Sequence, residues 1–209
     1  MYTPAAFKLD DTPRLHALMR RFPFAPLLTA HDGDIAATHL PFMADEKRGK
    51  HGTLLAHMAR ANPHWKLFDG KRESLVVFTG AHAYISPSWY ESPVTVPTWN
   101  YAVVHAHGRP VIVKDHAQVR AMLEKLVAIH EAHVHPPWST AQAGDYVDDQ
   151  LKYIVAFEIE IQRLEGKFKF NQNRSRKDQE GVVHALSGSD DPLQREVAEI
   201  MRANLKEQP

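Results

Sequence analysis

Imidazoles, hydroxyls, amides and aromatic rings crowd three stretches of this chain. The first joins Ala37-Thr38-His39-Leu40-Pro41 to Leu55-Ala56-His57-Met58-Ala59-Arg60-Ala61-Asn62-Pro63-His64-Trp65. The second is Gly80-Ala81-His82-Ala83-Tyr84-Ile85-Ser86-Pro87-Ser88-Trp89-Tyr90, and the third runs from Val96 through Thr98, Trp99, Asn100 and Tyr101 to His105, His107 and Gly108. Each lies at the end of an extended-looking run. Apolar walls with a few convergent hydrogen bonds are what a planar, polar-edged ligand requires. A barrel with aromatics in its core and polar groups satisfying its turns would use the same residue types, so composition alone leaves both readings open.

Fourteen histidines raise the question of a metal. The most metal-like spelling is His130-Glu131-Ala132-His133-Val134-His135, and it fails the zinc-protease pattern. That pattern needs a second histidine four residues after the first, where this chain has Val134. The end of a helix, whose dipole favours imidazolium, accounts for the cluster. His105 and His107 alternate on a strand and point the same way. With His39 and His57 they suit a ligand's carbonyl or phosphate, and no metal site is expected. The sequence contains no GxSxG elbow, no Walker A loop and no GxGxxG, and its ten glycines never cluster. A bound phosphate would therefore rest on side chains of strands and loops.

Without cysteine, thiolate zinc sites, disulfides and cysteine nucleophiles are excluded. Lys+Arg and Asp+Glu both number 25, whereas a dedicated nucleic-acid binder carries a basic excess. The one local basic patch is the GKFKFNQNRSRK segment, with Arg163 just before it, and it reads equally as a solvated strand end and helix start. No apolar run approaches a membrane span, and the first residues lack the marks of a secretory signal. A cytoplasmic protein without membrane contact is expected.

The elements that must position these groups alternate in character. Asp11-Thr12-Pro13 opens a helix that Pro23 ends, with Leu15, Leu18, Met19 and Phe22 on one stripe. Ala25–Ala30, Ile35–Phe42, Gly52–Met58, Ser74–Thr79, Ala81–Ser86, Val94–His107 and Val111–Val113 read as short strands, punctuated by Gly80, Gly108 and prolines. Arg60–Asp69 reads as a short helix. His116–Ala132 is the longest helix and Tyr146–Tyr153 a second one. In Ile154–Leu164, Phe157, Ile159 and Ile161 alternate with Glu158, Glu160 and Gln162, the mark of a half-exposed strand. Ser175–Leu186 and Pro192–Leu205 are helical. The pattern predicts an α+β protein: an antiparallel barrel with the Asp11–Phe22 and His116–Ala132 helices packed outside. One domain over residues 1–209 is expected, with a C-terminal helix over 190–206.

THLPF, GTLLAHMARANPHW, FTGAHAYISPSWY, VPTWNYAVVHAHG and GKFKFNQNRSRKDQEGV, in that order, resemble the PaiB family of FMN-binding negative transcriptional regulators. The resemblance runs from Met1 into the 180s. It implies the split-barrel flavin-binding fold related to pyridoxamine-phosphate oxidases and flavin reductases, and a homodimer with FMN at the subunit interface. By similarity, Arg60 and Asn62 hold the phosphate, while Thr38, His39 and Leu40 line the flavin from the other side. Arg60 is followed by Ala61, not by the second cation those oxidases carry, so Lys167, Lys169 and Arg174 are candidate supplements. Tyr84 and Trp99 wall the ring, and Thr98 or Asn100 holds its edge. His57, Ala59, Trp89 and Gln172 complete the candidate set. Trp89, Trp99 and Tyr101 are expected near the dimer interface. The implied activity is flavin-linked repression of transcription, through direct DNA contact or another partner. Hydride transfer between a nicotinamide and bound FMN is the alternative.

Overall fold

The β2 strand (Phe24–His31) and the β3 strand (Asp34–Pro41) form a hairpin closed by Asp32 and Gly33. Both turn residues have positive φ, 50° and 83°, the backbone that matches a two-residue turn to the strand twist. This is the computed structural model of the chain, and it describes residues 1–207. Gln208 and Pro209, within the single-domain span expected from the sequence, lie outside the described residues.

The remaining strands are β1 (Lys8–Leu9), β4 (Met43–Asp45), β5 (Thr53–Ala59), β6 (Ser74–Ile85), β7 (Thr98–Ile112) and β8 (Ile154–Lys169). Among the described residues they make one eight-stranded sheet, in the order β3-β2-β6-β7-β8-β5-β4, with β1 on β8. The pairs β1–β8, β2–β3, β2–β6, β4–β5 and β5–β8 are antiparallel. With the helices this is an α+β antiparallel barrel, as the alternating strands predict, in the split form that the family resemblance implies.

Several boundaries differ from the sequence reading: β7 starts at Thr98, not Val94, and the expected Arg60–Asp69 helix is a 3-10 turn over Pro63–Leu67. Gly80 does not divide two strands, because β6 runs straight through it. A Cβ there would lie 3.0 Å from Leu18 and 3.3 Å from Ala102, so the glycine lets neighbouring elements approach closely. Gly108 likewise sits inside β7, where a Cβ would come within 2.3 Å of the Glu160 carbonyl oxygen. β8 continues past Leu164 to Lys169, since Gly166 and Lys167 pair with Leu9 and Lys8 of a strand too short to read in the sequence. Within β8, Phe157, Ile159 and Ile161 are buried and Glu160 is exposed, as the alternation predicts.

The chain forms two compact units. The first takes Met1–Phe22, Phe78–His105 and the chain from Glu165 onward. Its helices are α1 (Thr12–Arg21), α4 (Arg176–Ser187) and α5 (Pro192–Glu207). Asp11 caps α1 by accepting from Arg14 N–H, and Ser175 caps α4 by accepting from Asp178 N–H. Leu15, Leu18 and Met19 of the α1 stripe are buried and Phe22 at its end is half-buried; Val182 and Leu186 of α4 and Val197, Met201 and Leu205 of α5 are buried as well. The second unit takes Pro23–Val77 and Ala106–Leu164. It holds α2 (His116–Glu131), capped by Asp115, and α3 (Tyr146–Leu151). Val119, Met122 and Leu151 pack with Ala156, beside Leu55, Leu123 and Ile154.

Candidate functional site

In the first unit, strand alternation sorts the aromatic residues by face. Ala81, Ala83 and Ile85 of β6 and Asn100, Ala102 and Val104 of β7 are buried, so His82, Tyr84, Trp99 and Tyr101 point the other way. Trp99 and Tyr84 are large rings left 53% and 45% exposed. They meet edge to face at 6.1 Å between centroids, and His82 lies 6.3 Å from Trp99.

Lys167 and Lys169 share one face of β8 by the same period of two. The Lys167 ammonium sits 5.3 Å from the Tyr101 ring and 5.6 Å from the Tyr2 ring, and donates to Tyr2 O at 3.2 Å. The Lys169 ammonium donates to the Thr98 hydroxyl and to Trp99 O at 3.0 Å. Among the described residues neither lysine has a carboxylate partner. Burial, and then the charge of Lys167, hold the Lys169 ammonium below its usual range. Two unneutralised cations beside exposed rings make an anion-seeking, ring-stacking surface, and the FMN phosphate and isoalloxazine fit that donor set.

Asp178 braces the loop that ends β6. Its buried carboxylate accepts from Glu91 N–H and Ser92 N–H, both at 3.0 Å, and from the Ser92 hydroxyl at 2.7 Å. Hydrogen bonding, first of all from the Ser92 hydroxyl, lowers its pKa. Trp89 lies in the one-turn helix Pro87–Trp89, and its carbonyl oxygen would come 2.1 Å from a Cβ at Gly181 of α4. Only glycine fits there. Gln172 is engaged locally, accepting from Phe170 N–H at 2.7 Å and donating to Phe168 O at 2.6 Å. Asn100 points into the unit, where its amide nitrogen contacts Met201 Sδ at 3.4 Å and its Oδ1 has no partner. It does not join the exposed face with Trp99 and Tyr101.

In the second unit, Thr38 and Asn62 come together around a histidine absent from the candidate set. His64 Nδ1 lies 2.8 Å from the Thr38 hydroxyl and Nε2 lies 2.8 Å from Thr29 Oγ1, which is 2.6 Å from Ser74 Oγ. Asn62 donates to Thr38 Oγ1 at 3.1 Å and accepts from His64 N–H at 3.0 Å. Burial lowers the His64 pKa, so it bridges as a neutral ring. The signal for it was Asn62-Pro63-His64, where an Asx cap opens a short 3-10 helix (Pro63–Leu67) and aims the next side chain inward. Thr38, Asn62 and His64 line a cavity of about 330 Å³ with Ala36, Ala37, Pro63 and Leu67. His39 stacks on Phe24 at 6.1 Å, Leu40 is buried in the core, and Ala59 is exposed at the end of β5. His57 faces a separate apolar cavity.

Arg60 clasps the backbone. Its Nε donates to Lys152 O and its terminal nitrogen to Ile154 O, both at 2.7 Å, and Trp65 Nε1 donates to Arg60 O at 2.9 Å. The guanidinium thus ties the end of β5 to the start of β8, on the wall of a cavity of about 480 Å³ that Lys114, His116 and Lys152 also line.

Fold and family together define the class, the flavin-binding split-barrel proteins. Residues 1–163 match the family model described as "Putative FMN-binding domain", and the chain belongs to this family of PaiB-type FMN-binding proteins. Its cofactor is FMN. The chain is 34% identical over 213 residues to the protease synthase and sporulation protein PAI 2 of Bacillus subtilis, covering 100% of both. It is 30% identical over 242 residues to an uncharacterized protein of Emericella nidulans, covering 97% of this chain and 96% of the other. Among solved structures, the FAD and heme binding protein of Mycobacterium smegmatis superposes with a TM-score of 0.57 at 16% identity, covering 78% of this chain and 73% of that one. The flavocytochrome Anf3 of Azotobacter vinelandii superposes with a TM-score of 0.54 at 14% identity, covering 78% and 69%. At such identities these two show the fold. Among the described residues no helix is long and apolar enough to cross a membrane.

Proposed function

We propose that the chain works as a homodimeric flavoprotein in which Lys167 and Lys169 receive the FMN phosphate and Tyr84 and Trp99 wall the isoalloxazine, and that flavin occupancy governs a repressor function. One observation carries the site: two ammonium groups without a carboxylate partner stand among half-exposed rings. A phosphate carrying nearly two negative charges needs a fixed cation or several N–H donors, and this face offers two cations. When bound, FMN supplies hydride and single-electron chemistry. The chain's own contribution is to hold the phosphate, orient the ring plane and exclude water from one ring face. Thr98, with its hydroxyl on Lys169, fixes the ammonium in place. Thr38 and Asn62, already hydrogen-bonded through His64, form a second polar wall for a flavin shared between copies.

Exposed Trp99 and Tyr84 support dimerisation, since isolated large rings at a sheet face gain most from a self-complementary partner. Light scattering at tens of micromolar tests this, together with FMN titration of Trp99→Asp, which is expected to lose dimerisation and flavin affinity together. A monomeric wild-type chain refutes the interface. Repression is the reading that membership of the PaiB type favours. Retention of the FMN-loaded protein on DNA, weakening steeply between about 50 and 200 mM salt, would mark direct contact. No retention would place regulation on a protein partner.

A further inference from the structure

We infer that the apolar cavity between β5, α2 and α3 is a binding site for a neutral aromatic small molecule with one hydrogen-bonding edge. The cavity lies wholly in the second unit and measures about 440 Å³, within the roughly 300–1,000 Å³ range of small-ligand sites. Leu126 and Val127 of α2, Val147 of α3 and Trp138 supply apolar wall. No lysine, arginine, aspartate or glutamate lines it, so nothing there would neutralise a phosphate or a carboxylate.

His57 and Thr140 are the less exposed polar side chains of this wall, beside the exposed Tyr146 and Gln150. Neither ring nitrogen of His57 has a hydrogen-bond partner among the described residues, and the same holds for the hydroxyl of Thr140, a residue only 8% exposed. Both side chains border the cavity and carry polar atoms that a ligand entering it can reach. Burial holds the His57 pKa below the ordinary value, so at neutral pH the imidazole offers one donor and one acceptor. A hydroxyl, amide or ring N–H on the ligand's edge would complete it, while its ring fills the space between the helices.

The test uses FMN-saturated protein titrated with 1-naphthol and with naphthalene, followed by calorimetry and by flavin fluorescence. The wild-type protein should bind 1-naphthol about two- to tenfold more tightly than naphthalene, the fold-change of one net hydrogen bond, with no release of FMN. His57→Phe should keep naphthalene binding and lose the preference. Ala143→Trp, which fills the cavity from the Thr140–Gln142 turn, should abolish both while its circular dichroism matches wild type. Absence of naphthol binding, displacement of FMN by naphthol, or an unchanged preference in His57→Phe would each overturn the site.

Discussion

Replacing Lys169 by Met separates a phosphate site from a structural lysine, because the two roles predict opposite effects on stability. The thioether keeps most of the aliphatic stem and its packing while removing the charge. In the chain without ligand, Lys169 is half-buried, repelled by Lys167, and held below its usual pKa by burial and by that charge. The hydrogen bonds it would give up run to the Thr98 hydroxyl and to Trp99 O. Loss of a half-buried like charge offsets loss of these bonds, so the thermal midpoint should stay level or rise by a few degrees at most. Flavin affinity should move the other way. A charge-assisted hydrogen bond to phosphate contributes about 1.5–3 kcal/mol, which is about a 10- to 150-fold rise in Kd. Binding in the wild type should also weaken as pH rises through the lowered Lys169 pKa, since only the ammonium form attracts phosphate. The assay is quenching of FMN fluorescence, read beside a thermal melt of the ligand-free protein. Lys167→Met should act in the same direction, and the double variant should come near the sum of the two unless the phosphate bridges them. Unchanged Kd in a folded Lys169→Met protein would refute this site. In that event Arg60→Ala is the next variant, and a loss of FMN affinity there would return the phosphate to the cavity it lines with Lys114 and Lys152.

Asp178→Ala leaves two backbone N–H groups and a hydroxyl without their acceptor, and should lower stability by about 2–4 kcal/mol, with Asp178→Asn milder, by urea titration. The lowered Asp178 pKa means that this stabilisation is present above the unfolded carboxylate value and is lost as pH falls through the folded one; a wild-type melt insensitive to acid would contradict it. Asn100→Leu should leave FMN affinity unchanged and hold or raise the thermal midpoint, because Asn100 Oδ1 is buried without a partner; a fall in affinity would restore Asn100 to the ring edge. Burial lowers the pKa of His57 and His64, so their neutral forms favour the fold above the ordinary histidine value and stability should decline as pH drops below it. Replacing both by Gln should flatten that decline, and an equally steep decline in the double variant would exclude them as its source.

Periodicity by itself determined the helices and the barrel class. The stripes Leu15–Leu18–Met19 and Val197–Met201–Leu205 and the alternation Phe157–Ile159–Ile161 are local facts, and the burial of each follows from its own spacing. The long aromatic motifs carried family and cofactor, since YISPSWY and PTWNY keep their meaning without coordinates. Glycine misled the boundaries. Gly80 and Gly108 look like turns in a string of residues, whereas their purpose is set by Leu18 and by the Glu160 carbonyl, atoms remote in sequence. The candidate site divided in the same manner. Lys167 and Lys169 lie together because a strand alternates, which the sequence displays, but their lack of acidic partners is a property of folded neighbours. Arg60 directly follows a strand run and so reads as a phosphate clamp; in the fold, the Lys152 and Ile154 carbonyls lie within its reach and hold the guanidinium. Asn100 reads as a ligand residue until strand parity turns it inward against Met201. Sequence settles which groups a chain owns and which neighbours share a face, because both depend on short-range geometry. Which groups remain unpaired is decided by contacts between distant segments, and only the tertiary structure contains those.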